Sequence, residues 1–565
     1  MKKLLTILLI AGLIFTTCTV FAATDVSSEA VEIDLSEYFS SRDLSGAWDA
    51  SAAQTIDLSA QSSDVNITAA GVYVLSGSLQ GSVTVIAGDN DKVQLVLNGV
   101  DIAASGTAAL YVENADKVFV TLAEGSQNTL TVSSFDESSS IDGAIFAKDD
   151  ITLNGSGSLT IVSANHGIVG KDDLKITGGV YNITAEGRGI DANDSVRIYD
   201  GSFTIVSVKD AIRAKNDEDS EKGYVLIAGG DFDLIVNGGA ANGEAHTEDM
   251  MWGFRGGRNA QTVVETDTAS AKGVKASSAV ILLGGNLTVD ASDDALHTDG
   301  DLTIYGGTLT LSSGDDGMHA DSALTINGGN ITIAQSYEGL EASQIQINGG
   351  DIRVNASDDG VNSSGGKDQS GYWRNDMFAS DGSSITINGG TLYVNASGDG
   401  IDSNGDLAVN GGFIVVSGPT NSGNGALDYN GSAVITGGTV IAAGAAGMAE
   451  NFGSSSTQVS AMVNLGGSAG DITVSDSNGN ALFSGTVEKN YQCVVISSPD
   501  LQIDQTYTVT GGSASAQVTP SSVVNGGSGF GGFGGGRGGW DNRQQGGFGG
   551  QQNEPQMPPC CRLSQ

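Results

Sequence analysis

Basic residues are scarce in this chain. Its 565 residues include 25 Lys and Arg against 66 Asp and Glu, a formal net charge of −41. Such a polyanion repels phosphate backbones, so nucleic-acid partners are excluded. The charge suits a secreted, soluble chain and leaves carboxylates for divalent metal. It would also repel an anionic polysaccharide unless calcium bridged the two. Cysteine is almost as rare. Of four cysteines, Cys18 lies in the leader, and Cys493, Cys560 and Cys561 are odd in number and lack framework spacing. Disulfides therefore do not hold the fold together. Long apolar runs are missing beyond the first twenty-odd residues, which excludes a later membrane-spanning helix. The leader itself, MKKLLTILLIAGLIFTTCTVFAATD, has Lys2 and Lys3, an apolar run from Leu4 and a small-residue site at Val20-Phe21-Ala22. It reads as a secretory signal over 1–22, which places the mature protein outside the cell, in solution or at the cell surface.

The abundant feature is a repeat. From Gly284 to Gly350 three near-copies follow one another: GGNLTVDASDDALHTDGDLTIYGG, GGTLTLSSGDDGMHADSALTINGG and GGNITIAQSYEGLEASQIQINGG. The period is about 22 residues, the size of one solenoid coil. Leu287 and Val289 alternate with polar neighbours, as do Leu302 and Ile304, and period-two alternation means half-buried strands. The fold class is therefore all-β, with each repeat forming one coil of a parallel β-helix. One coil cannot bury its apolar face alone, but stacked coils make a continuous aliphatic core. That core is expected from Leu287, Val289, Leu296, Leu302, Ile304, Met318, Ile326, Leu340, Ile347 and Val361. The second glycine of each pair, as at Gly307 and Gly350, is expected where the backbone needs positive φ. The small residue after the acid, Gly317 or Gly339 but also Ala211 and Ala295, reads instead as a crowded corner.

The chain divides accordingly. An irregular lead-in covers 23–60. The β-helix covers 61–458, with atypical coils to about 141 and regular ones after. A small C-terminal β module over 459–524 covers the end of the core, and a Gly/Gln-rich tail over 525–565 reads as disordered. Two long insertions, in 238–271 and 365–382, interrupt the coils, with a shorter charged one from Asp217 to Lys222.

Stacked strands lie roughly 4.8 Å apart, so equivalent residues of successive coils form columns. The column before the small residue reads Arg188, Asp210, Lys272, Asp294, Asp316, Glu338, Asp359, Asp399. Three residues on, it reads Asp191, Arg213, Lys275, His297, His319, Glu341, Asn362, Asp402. Stacked carboxylates stay ionised at neutral pH only with a cation or donor between them. The candidate metal ligands are Asp294, Asp315, Asp316, Glu338, Glu341, Asp358, Asp359, Asp399 and Asp402, and oxygen ligands of this kind suit calcium (Ca2+). The competing reading has corner Asp residues capping turn amides. His297 and His319 could hold zinc, or simply hydrogen-bond to Asp294 and Asp316. In the insertions, Trp252, Phe254, Arg255, Tyr372, Trp373 and Arg374 are candidates for carbohydrate binding, the rings stacking on sugars and the arginines pairing with uronates. The competing reading is local hydrophobic packing.

GDDGMHADSALTINGG, SYEGLEASQIQINGG and SDDGVNSSGG resemble a bacterial family of secreted, carbohydrate-binding parallel β-helix proteins related in fold to pectate lyases. GVYVLSGSLQGSVTV, VQLVLNGVDI and VTLAEGSQNTL resemble its N-terminal section, and SSPDLQIDQTYTV its C-terminal module. The resemblance runs from about Ile33 to Ser513. It implies a right-handed β-helix, bound calcium (carried onto Asp316, Glu338, Glu341 and Asp359), and binding to plant-cell-wall polysaccharide such as cellulose or acidic pectin. It implies no established catalysis. A calcium-dependent polysaccharide lyase is the enzyme alternative, with a base drawn from Arg213, Lys272 or Lys275 beside the acids. A structural adhesin or spacer is the third reading. No feature specifies an oligomeric state.

Overall fold

The structure, a computed structural model, describes residues 33–244, 270–364 and 380–526. Its contacts divide it into two units, one ending at Gly314 and the other resuming at Asp315. Both are all-β. The only helices among the described residues are short 3-10 turns, Leu35–Glu37, Leu58–Ala60 and Ala240–Asn242, and none is long and apolar enough to cross a membrane.

In the first unit the repeat becomes three parallel ladders. One contains Ile151–Gly155, Asp173–Ile176, Ser195–Ile198, Tyr224–Ile227, Ala279–Leu282 and Asp301–Ile304. The next contains Ser158–Ser163, Val180–Ala185, Ser202–Ser207, Asp231–Val236, Asn286–Ala291 and Thr308–Ser313. The last contains Gly143–Ala147, His166–Gly170, Ile190–Ala192, Ile212–Ala214, Val274–Ala276 and Leu296–Thr298. Each repeat thus gives one strand to each ladder, and each strand pairs with its equivalent one repeat later. Val180–Ala185 alternates exposed and buried along its length, which turns every second side chain inward. Like side chains then stack. The rings of Tyr181, Phe203 and Phe232 are stacked nearly parallel, with centroids 5.1 and 4.7 Å apart.

The lead-in is more ordered than its composition suggests. Gln54–Asp57 already pairs in parallel with Gly71–Gln80. Before it, Asp43 is buried and accepts from Lys117 Nζ at 2.7 Å and Thr152 Oγ1 at 2.9 Å. Its carbonyl accepts from Thr177 Oγ1 at 2.7 Å. Burial opposes ionisation, but Lys117 and Ser40 hold the Asp43 carboxyl well below the usual range. The segment straps the first ladder by satisfying polar side chains on its outer face.

The second unit repeats the pattern. Leu340–Ile347, Ser384–Ile387, Asp406–Val409 and Ala433–Ile435 form one ladder. Asn330–Gln335, Asp351–Ala356, Thr391–Ala396, Phe413–Ser417 and Thr439–Gly444 form the next. The start of Leu340–Ile347 pairs with Val361–Ser363, which leads on to Ile401–Ser403 and Leu427–Tyr429. Every residue expected in the core is buried, from Leu287 at 1% exposed to Val361 at 0%. The glycine columns separate as their composition implied. Gly350 and Gly390 have φ of 97° and 80°, a region that L side chains avoid. Gly339 instead has crowded surroundings: a Cβ there would lie 2.2 Å from Val354 Cγ1.

At the C-terminal end, Tyr491–Ser497 runs antiparallel to both Thr439–Gly444 and Ser460–Gly467. Gly470–Ser475, Ala481–Val487, Tyr507–Gly511 and Ala514–Val518 form a separate four-stranded antiparallel sheet. Val474, Val487 and Val509 pack with Val415 and Ile441 in one buried cluster. The last strand of its ladder, Thr439–Gly444, therefore meets a partner instead of leaving an open edge. Cys493 is buried there and unpaired.

Candidate metal centre

The site follows from the repeat. The third ladder turns at a corner just before its short strand, so the residue before the small residue and the outward residue three positions on recur along one edge. In the second unit these positions are almost all carboxylates. The outward column follows the strand register His319, Glu341, Asn362, Asp402, Asp428. The inner column is Asp316, Glu338, Asp359 and Asp399.

At one end of this edge a histidine neutralises the acids. His319 Nδ1 lies 3.0 Å from Asp316 Oδ2 and 2.8 Å from Glu341 Oε2, and its Nε2 is 3.2 Å from Asp321 Oδ1. Burial alone would lower the His319 pKa, but these carboxylates outweigh it and raise it well above the usual value. Burial likewise opposes ionisation of Glu341, and the imidazolium overrides it, holding the carboxyl at about 2. Glu338 is less favoured. Burial first, then Glu341 and Asp316, push its pKa well above the usual range, although Asn362 Nδ2 donates to its Oε2 at 2.8 Å.

Further along, no side-chain cation among the described residues pairs with the acids. Asp359, Asp399 and Asp402 each offer an oxygen within 4.8 Å of the others. Burial is the main reason that all three carboxyls are pushed well above the usual range. Asp399 adds to it for Asp359, Asp402 for Asp399, and Asp359 and Asp428 for Asp402. Backbone amides offset this in part: Asp399 N donates to Asp359 Oδ1 at 2.5 Å, and Gly425 N donates to Asp399 Oδ1. Asp358 joins the group from the turn. A Cβ on Gly398 would lie 2.3 Å from Oδ1 of both Asp358 and Asp359, so the two carboxylates converge where that glycine leaves room. Asn362 is 7% exposed, and its Oδ1 has no donor among the described residues. An orphaned buried oxygen next to crowded carboxylate oxygens is a donor set that fits a hard divalent cation.

The first unit treats the same corner differently. Arg188 Nε lies 2.9 Å from Asp210 Oδ2, and Arg213 Nε lies 2.7 Å from Asp191 Oδ1. Lys272 Nζ lies 2.7 Å from Asp293 Oδ1 and 3.1 Å from Asp294 Oδ2. Asp210 is wholly buried, yet Arg188 and Ser270 hold its carboxyl below the usual range against that burial. Asp294 also meets His297 Nδ1 at 2.8 Å, while His297 Nε2 lies 3.0 Å from Asp299 Oδ1. Both nitrogens of each corner histidine thus face carboxylates, and His297 is buried.

Of the proposed ligands, the structure groups Asp316 with Glu341 around His319, and Asp359 with Asp399 and Asp402. Asp358 lies beside the second group. Asp315 is on the preceding turn, where its carbonyl accepts from Tyr337 N at 2.7 Å. The sequence reading missed Asp428 and Glu450. Asp428 continues the outward column, but a longer turn before it breaks the 22-residue count, and only the strand register Asp402↔Asp428 reveals it. Burial and Asp428 push the Glu450 carboxyl up to about 7. Trp252, Phe254, Arg255, Tyr372, Trp373 and Arg374 lie outside the described residues.

A family profile described as "carbohydrate-binding domain-containing protein" matches residues 61–317 and 315–360, more than half of the chain. The chain belongs to this carbohydrate-binding domain family. The match contains most of the parallel ladders and the first part of the carboxylate edge. A carbohydrate-binding domain-containing protein from Acetivibrio thermocellus is 38% identical over 180 residues, 31% of this chain and 63% of the relative. The aligned segment thus spans somewhat less than two thirds of that relative's length. A solved structure titled as the polysaccharide lyase-like protein from C. thermocellum, a gadolinium derivative, is 26% identical. The likeness covers 49% of this chain and 96% of that one, with a TM-score of 0.35.

Proposed function

We propose that this chain is a secreted, non-catalytic protein that binds plant-cell-wall-type polysaccharide, cellulose or acidic pectin, on a calcium-stabilised right-handed parallel β-helix. Family membership supports the carbohydrate half of this reading. The parallel ladders support the β-helix, and parallel crossovers have a strong right-handed preference. One observation supports the calcium most directly: Asp359, Asp399 and Asp402 crowd their oxygens together with no side-chain cation paired to them among the described residues, beside the orphaned Asn362 Oδ1. Calcium takes six to eight oxygens at about 2.3–2.6 Å, and carboxyls raised by burial and by one another would lose their protons to water as it binds. The ion's first role in this reading is structural; near an acidic face it can also bridge to a uronate.

A lyase would need a base beside the metal. Arg213 and Lys272 are buried in ion pairs with Asp191, Asp293 and Asp294, which disfavours that chemistry here. The test is a pull-down of the full chain on insoluble cellulose and on pectate, with calcium and with chelator. Retention on either substrate supports the reading. Retention on neither sinks it, and release of unsaturated product from polygalacturonate would replace it with a lyase.

A further inference from the structure

The first unit holds a second polar site, away from its paired corner. It is a concavity of about 430 Å³ on the first ladder, within the size range of small-ligand sites. The short charged insertion forms one wall. Asn216 Oδ1 accepts from the amides of Glu218 and Asp219 at 3.1 and 3.0 Å, which folds the loop on itself. The loop is then pinned to Asp194, which accepts from Lys222 Nζ at 2.7 Å and from Asn216 Nδ2 at 3.0 Å. Also in the lining is Arg197 over the Tyr224 ring, 5.3 Å from its centroid, with Tyr38 edge-on to that ring at 6.5 Å. Arg197 Nη2 donates to Asp173 Oδ2 at 2.8 Å, and its Nε is buried with no acceptor among the described residues. The walls are therefore preformed, and both cations in the lining already hold carboxylates.

Asp150 and Asp172 also line it; both are half-buried, and burial followed by neighbouring Asp carboxylates raises both above the usual range. The lining has six carboxylates against two cations. It is rich in acceptors, its donors are mostly committed, and its net charge repels anions. The complementary ligand brings hydroxyl donors and no negative charge.

We propose that this concavity is a glycan subsite for an uncharged sugar unit, whose hydroxyls donate to Asp150 and Asp172, and that it discriminates against uronates. The proposal rests on the carbohydrate-binding reading but not on the calcium edge, which lies in the other unit. The full chain is titrated calorimetrically, in calcium-containing buffer, with a β-1,4-linked glucose hexamer and with a galacturonate hexamer. The neutral hexamer should bind more tightly by about tenfold or more, the scale of losing a hydrogen bond to a charged group. Asp172→Asn and Asp150→Asn keep shape and remove repulsion, so both should fold, and each should weaken the neutral hexamer about tenfold. Unchanged glucose-hexamer affinity in both variants overturns the subsite and leaves the family reading standing. Equal or tighter galacturonate binding, weakened by the same substitutions, overturns the selectivity and with it the proposal. Calcium uptake lost in Asp172→Asn while glycan binding persists would make the pocket a cation site and also overturn it. If the wild-type chain is retained on no polysaccharide at all, the subsite falls together with the reading beneath it.

Discussion

The corner of the repeat is solved twice in this molecule. In the first unit, acids and bases alternate in register, so Arg188 meets Asp210, Arg213 meets Asp191, and Lys272 meets Asp293 and Asp294. In the second unit the same positions are mostly carboxylates, and after His319 no side-chain cation pairs with them among the described residues. Both corners remove charge from water. The first compensates each buried acid within the chain, whereas the second leaves the compensation to protons or to an ion from solution. A repeat can thus keep one backbone and exchange an internal counter-charge for an external one. The first unit's edge should be indifferent to added calcium, and the second's should respond to it.

The largest effect expected from this comparison comes from breaking the internal solution. Arg188→Ala leaves Asp210, which is wholly buried, without its guanidinium. Removing one partner of a buried pair costs about 3–5 kcal/mol. Denaturant unfolding should show this loss equally with and without added calcium. A loss below about 1 kcal/mol, the range of exposed pairs, would mean that the corner is not compensated as described.

Chelation comes next. An ion present at about a hundred times its Kd stabilises by about 2.7 kcal/mol, so a chelator should remove stability on that scale. Hydrogen exchange should quicken in the strands around 338–428 and not around 188–298; equal change in both regions breaks the contrast. The pH dependence of the chelated protein should divide the same way. Glu338, Asp359, Asp399 and Asp402 have raised carboxyls when folded. The stability they contribute is present below the ordinary carboxylate pKa of about 4 and is lost as pH rises, with Glu450 carrying the window to about 7. Asp210 is lowered on folding, so its contribution is present above about 4 and lost as pH falls. Calcium should flatten the first of these profiles and leave the second unchanged.

Much of this was legible in the sequence because the repeat makes each position a column. Alternation at Leu287 and Val289 exposed the strands, and the mix of Gly317 with Ala295 separated a crowded corner from the positive-φ turn at Gly350. The carboxylate edge was legible for the same reason. Three things were not. Asp294 counted as one more acid in the column, but whether an acid is free or paired depends on its neighbour's side chain, here Lys272 at 3.1 Å. Asp428 lay beyond a longer turn that broke the count. Asn362 looked like a gap in the acidic column, and only its buried, undonated oxygen marks it as a ligand candidate.

The smallest effect is the most discriminating. Asp402→Asn keeps the shape of the second unit's corner and removes one charge facing Asp359 and Asp428. If the edge is a stack of unrelieved acids, the chelated variant should be more stable than the chelated wild type near neutral pH. The gain should be about 1 kcal/mol, the scale of one like-charge contact near 4 Å in water-like surroundings, and should shrink toward pH 4, where the stack is protonated. The same variant should lose much of its calcium response, because an amide oxygen is a weaker ligand for a hard cation than a carboxylate. The two signs must appear together. A variant less stable than wild type in chelator would mean that Asp402 caps the turn rather than repelling its neighbours. An undiminished calcium response would put the ion elsewhere on the edge. Asp191→Asn, at the equivalent outward position of the first unit, should do the opposite, destabilising in chelator because it removes the carboxylate 2.7 Å from Arg213 Nε, and differential scanning calorimetry of both variants at one pH would read the contrast directly.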